Sequence, residues 1–107
     1  MSKSITATEL GKLLQEKSDL VIVDVRRKTD YEADKEVIPG AVWRDPEQVE
    51  QWRKDLPEQK QVVIYCVRGG SVSQSVSKRL SDAKINVSII EGGLAAWKEA
   101  GGKTESK

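Results

Sequence analysis

Cys66 is the only cysteine of the chain; it follows the run Gln61 to Tyr65, QVVIY, and precedes Val67-Arg68-Gly69-Gly70-Ser71-Val72. A thiol in that position is a candidate nucleophile, because ligand sites in open α/β sheets gather beyond the carboxyl ends of the strands. Gly69 and Gly70 can take positive φ or let the backbone curl, which turns successive N–H groups toward one point, where the sulfur would sit. The positive end of a following helix and the charge of Arg68 add to that field, so the thiolate of Cys66 is favoured without help from histidine. An unpaired cysteine ending a hydrophobic strand is often inert packing, and a loop arginine is often simply solvated. The order strand, cysteine, glycine-rich turn, helix favours a reactive site over packing. Ser71 lies close enough to cap the helix or donate to a ligand, whereas Ser73, Ser75 and Ser77 read as a polar helix face.

The elements that must hold this loop alternate short buried-strand patterns with amphipathic helices, the signature of an α/β fold with a mostly parallel sheet. Thr6 and Glu9 form a capping box, with Ile5 and Leu10 as a hydrophobic staple, and predict a helix from Ala7 to Gln15 bearing Leu10, Leu13 and Leu14 on one face. Leu20 to Val25, LVIVDV, reads as a strand covered on both sides. A turn-rich or helical piece follows from Thr29 to Lys35, then Pro39-Gly40 marks a turn before a brief extended stretch. Asp45 as N-cap and Pro46 at the first helical position predict a helix closed before Pro57, with Val49, Trp52 and Leu56 on one face. Val72, Val76, Leu80 and Ala83 predict a helix from Ser71 or Val72 to Asp82. Val87 to Ile90 is the last strand, and Leu94, Trp97 and Ala100 give a short helix stopped at Gly101-Gly102. Asp24 and Arg26 read as a structural ion pair pinning the sheet end to the next loop. Trp97 reads as core; Trp43, beside Arg44, could line the pocket.

Composition limits the chemistry further. The 107 residues suit one domain, with a core at about 4–101 and a polar tail at 102–107 whose end, KTESK, is expected to fray. A formal net charge of +1 with both signs interspersed argues against a nucleic-acid groove. No apolar run approaches the roughly 20 residues that span a bilayer, and MSKSITATEL lacks a signal-peptide apolar region, so no membrane partner and a cytoplasmic location are expected. With no histidine and a single cysteine, the chain offers no Ser-His-Asp triad, Cys-His pair, internal disulfide or ordinary zinc site.

Three stretches resemble the single-domain rhodanese family of sulfurtransferases. Cys66 to Ser71 looks like its active-site loop, with glycine three positions after the cysteine. DVRRKTDYEADKEVIPGAVW, from Asp24, looks like its Asp-x-Arg segment and Ile-Pro-Gly-Ala turn, and EGGLAAWKEAG, Glu91 to Gly101, like its Gly-Gly-x-x-x-Trp signature. The resemblance implies a sheet of about five strands with helices on both faces. It also implies a Cys66 persulfide that takes sulfur from a small anionic donor such as thiosulfate and gives it to cyanide, a thiol or a protein cysteine. Val67, Arg68, Gly69, Gly70, Ser71 and Val72 would form the anion cradle, with no metal or organic cofactor. The chain departs from the family in having Glu36-Val37 where Gly-His is common and Ser71 where an arginine is common. Alternatives are a non-catalytic rhodanese-like interaction module, or a phosphatase or arsenate reductase, whose clamping arginine six positions after the cysteine is Val72 here.

Overall fold

A computed structural model describes residues 3–16, 20–34, 36–56, 60–68 and 70–106. Lys35, Pro57 and Gly69, to which the sequence assigns a segment end, a helix stop and a cradle position, lie outside the described residues. Five strands form one parallel sheet: β1 (Lys3–Ile5), β2 (Leu20–Asp24), β4 (Val42–Trp43), β5 (Gln61–Tyr65) and β6 (Val87–Ile90), in the order β1-β6-β5-β2-β4. β5 is central, with Val63 aligned to Ile22 on one side and to Ser88 on the other. Cys66 therefore leaves the sheet at the middle of its carboxyl edge.

Alternation along β5 divides the core in two. Val62, Ile64 and Cys66 face one side, with Val25, Val49, Trp52, Val76 and Leu80. Val63 and Tyr65 face the other, with Leu10, Ile38, Leu94 and Trp97. The first layer is covered by α3 (Val49–Trp52) and α4 (Ser71–Asp82), the second by α1 (Ala7–Gln15) and α5 (Gly93–Glu99). Helices thus cover both faces, as the continuous apolar strands require. The capping box forms as predicted: Glu9 N–H donates to Thr6 Oγ1 at 3.1 Å, and Thr6 N–H to Glu9 Oε1 at 3.2 Å.

Several boundaries differ from expectation. The helix predicted after Asp45 is a chain of short turns, with 3₁₀ segments Pro46–Gln48 and Arg53–Asp55 flanking α3. Asp45 still caps the first, accepting from Glu47 N–H at 2.9 Å, but its carbonyl takes both Gln48 N–H and the Trp52 indole N–H. The side-chain bond anchors Trp52 to the turn and replaces regular helix bonding there. On α4 the buried residues are Ser73, Val76, Ser77 and Leu80, so these two serines are not the polar face. The stripe i, i+3, i+4, i+7 starts one residue later than valine spacing suggested, leaving Val72 half-buried. Ala100 is exposed beyond the end of α5.

The largest correction concerns the C-terminus. Residues 105–106 form β7 (Glu105–Ser106), which pairs antiparallel with β3 (Glu36–Val37). Trp97 accounts for this return: its ring is buried, and among the described residues its indole N–H finds its acceptor in the Lys103 carbonyl, at 2.7 Å. Thr104 Oγ1 then donates to Glu36 Oε2 at 2.6 Å, and Lys98 Nζ reaches Asp34 Oδ2 at 2.7 Å. The Lys98 contact holds the Asp34 carboxyl below its ordinary range.

Asp24 and Arg26 form a fully buried pair, with Nη2 at 2.7 Å and Nε at 2.9 Å from Asp24 Oδ2. Arg26 also donates to the carbonyls of Asp34 and Glu36, so one guanidinium ties β2 to the segment that follows α2 (Lys28–Ala33) and carries β3. Burial alone would lower its pKa, but the hydrogen bond and charge of Asp24 outweigh that and raise it. Burial, with the Asp24 charge, likewise raises Tyr65, whose Oη accepts from Ile38 N–H. Asp24→Asn leaves the guanidinium buried without its counter-charge and is expected to destabilise the fold by about 3–5 kcal/mol in urea unfolding. Gly102→Ala is expected to cost about 1–3 kcal/mol by the same measurement, because its Cβ would stand 2.3 Å from the Trp97 ring.

Candidate active site

Cys66 is 6% exposed and lies just past the end of β5. Its carbonyl accepts from Leu94 N–H at 2.9 Å, and the next carbonyl, of Val67, accepts from Ala95 N–H at 3.0 Å. The loop is thus tied to the start of α5. Sequence reasoning missed this contact, although the Gly92-Gly93 pair signals it. Gly92 and Gly93 have φ of 75° and 61°, and a Cβ on Gly92 would meet that of Ala96 at 2.6 Å. Only glycine lets the chain turn tightly enough to bring these amides under the loop.

That tether orients the loop's donors. In a trans peptide the C=O and N–H point in opposite directions, and no cis peptide is present among the described residues. With the Cys66 and Val67 carbonyls turned toward α5, the N–H groups of Val67 and Arg68 point away from it. Neither donates a hydrogen bond among the described residues. The Cys66 side chain belongs to the layer on the α4 side of the sheet, opposite α5. Two unpaired amides and the thiol therefore share one side of the loop, and the start of α4, with its own free first-turn amides, follows immediately. Such a place favours negative charge.

The remaining predicted residues fall as follows. Gly70 is the N-cap of α4 with φ −82° and ψ −153°, so it does not use the left-handed region. Ser71 is an exposed first helical residue rather than the cap. Arg68 is exposed and forms no ion pair among the described residues, while Val67 is 37% exposed. Val72 packs against the cluster that contains Cys66. Asp24 and Arg26 stand one strand away, Val25 N–H donating to Tyr65 O at 2.8 Å, and act on the loop through the sheet rather than by contact. Trp43 stacks on Tyr31 at 4.9 Å and donates its indole N–H to Arg26 O, so it buttresses the pair. It lines a neighbouring cleft with Arg44 rather than the groove beside α4. That groove, of about 440 Å³, runs along α4 past Ser71 and Val72 and is closed on its other side by Arg27 and Glu47.

Comparison with known proteins agrees with the fold. The rhodanese-like domain family matches residues 6–100. The thiosulfate sulfurtransferase GlpE of Coxiella burnetii is 33% identical over 99 residues, covering 92% of this chain and 89% of that protein. A sulfurtransferase of Allochromatium vinosum is 27% identical over 101 residues, covering 94% and 92%. Among solved structures, a rhodanese-like domain protein from Staphylococcus aureus superposes with a TM-score of 0.83 at 30% identity, covering 98% of each chain. A Rhodopseudomonas palustris protein described as a possible tyrosine phosphatase superposes with a TM-score of 0.84 at 31% identity, covering 97% of this chain and 85% of its own. With the match extending from α1 through α5, the chain belongs to the rhodanese-like domain family.

Proposed function

We propose that the protein is a sulfurtransferase that carries sulfane sulfur on Cys66. The observation that supports this most directly is the pair of unpaired N–H groups, of Val67 and Arg68, on the same side of the loop as the only thiol. The thiolate attacks the outer sulfur of a donor such as thiosulfate. The donor's S–S bond breaks, its electron pair leaves with sulfite, and Cys66 keeps the sulfur as a persulfide. The loop amides and the start of α4 stabilise the anion that develops as sulfite departs, and exposed Arg68 meets the donor's charge on entry. A thiol or cyanide acceptor then removes the outer sulfur and restores the thiolate. Relatives named as sulfurtransferases support the same chemistry. Phosphoryl transfer has weaker support, because the sixth position after Cys66 is Val72, packed against the core rather than free to clamp phosphate.

Incubation with thiosulfate is expected to add the mass of one sulfur atom to the protein, removable by cyanide and absent from Cys66→Ser; a parent protein that gains no such mass sinks the proposal. Arg68→Ala is expected to raise KM for thiosulfate about three- to tenfold, since an exposed cation contributes on the order of 1 kcal/mol. An unchanged KM would assign anion binding to the backbone alone.

A further inference from the structure

The groove beside α4 carries charge that sulfur loading does not explain. Arg27 follows Arg26 beyond β2, and Arg79 lies on α4 eight residues after Ser71, yet both line one groove of about 440 Å³. Both are exposed, and neither makes an ion pair among the described residues. Glu47 is the only acidic residue on the walls among the described residues, so two cations there oppose one anion. Ser71, Ser75 and Arg79 recur every fourth residue, which sets them along one strip of the helix, about 12 Å from first to last. The strip starts where the Cys66 loop ends. Val72 and Val76, which pack with the cluster containing Cys66, also line the groove, so it lies on the same side of the sheet as the thiol.

The mechanism proposed above binds thiosulfate at the loop and the start of α4 and leaves the rest of the groove unused. A groove of this volume suits a small molecule rather than a protein surface, and its length matches about three extended residues. We infer that it is the acceptor subsite: a small thiol bearing carboxylates lies along α4, its acid groups on Arg27 and Arg79 and its sulfur at the Ser71 end. This rests on the Cys66 persulfide proposed above. The acceptor thiolate attacks the outer sulfur of Cys66–S–SH. The S–S bond of the persulfide breaks, its electron pair returns to Cys66 as thiolate, and the outer sulfur leaves with its proton as the acceptor's own persulfide.

The probes are two blocked tripeptides, acetyl-Cys-Asp-Asp-amide and acetyl-Cys-Asn-Asn-amide, which present the same thiol at one end, with and without carboxylates. The ratio of their kcat/KM values for unloading the persulfide is compared between the parent and the Arg27→Gln/Arg79→Gln protein, so intrinsic differences between the thiols cancel. The acidic-to-neutral ratio is expected to fall about tenfold in the double variant, and also in the parent at high salt. Equal ratios in the two proteins at low salt would overturn the subsite. If the parent never loads sulfur, the persulfide proposal fails instead. The groove is then decided by titrating Cys66→Ser protein with the acidic peptide. Amide shifts along Ser71 to Arg79, lost with the double substitution, uphold it, and unchanged spectra refute it.

Discussion

The buried Asp24–Arg26 pair is the constraint on which the carboxyl edge of the sheet depends. A guanidinium and a carboxylate removed from water are tolerated only when almost every hydrogen-bonding position is filled. Here the surroundings comply. The carboxylate accepts Arg26 Nε and Nη2 and the Arg26 backbone N–H, while the guanidinium reaches out to the carbonyls of Asp34 and Glu36. Tyr31 lies against the guanidinium face at 5.3 Å, and Trp43 bonds the Arg26 carbonyl. Because β2 runs beside β5 with Asp24 aligned to Tyr65, fixing this pair also fixes the strand end from which Cys66 emerges.

From that edge the loop is held on two sides by different means. Toward α5 the hold is backbone to backbone, two carbonyls on two helix amides, and it determines which way the remaining amides face. Toward α4 it is hydrophobic, with Cys66 packed in the cluster that includes Val76. The anion site proposed above rests mainly on amide groups already fixed by the fold, which is how preorganised electrostatic stabilisation works. The low exposure of Cys66 would suit the proposed sulfur carrier, which gains from keeping its intermediate out of water.

Much of this was legible in the sequence because it rests on local chemistry. The capping box at Thr6, the apolar runs of β2, β5 and β6, and the order strand, cysteine, glycines, helix are all patterns of neighbouring residues. What escaped is which backbone carbonyl a buried indole takes. The Trp52 indole takes the Asp45 carbonyl and breaks up a helix that Asp45-Pro46 would otherwise start. The Trp97 indole draws Lys103 inward and turns a polar tail into a strand beside Glu36. Both rings read as core or apolar face, but the carbonyl that each indole takes, Asp45 seven residues back and Lys103 six residues on, is set only in the folded chain.

The same distinction applies to charge. Arg26 and Arg27 are adjacent and identical in type, yet one side chain is buried and bonded to three residues while the other faces an open groove. The Asp-x-Arg spacing singles out Arg26 for the buried pair, but the place of Arg27 on the groove follows only from the direction in which β2 ends. Beyond the last paired residue the chain continues with Val25 inward and Arg26 folded back on Asp24, leaving Arg27 to project past the sheet toward α4. A cation in that position need not offset a buried charge, so it is available for a transient partner. The residue that stabilises the fold and the residue that faces the groove are consecutive because one sheet edge must do both.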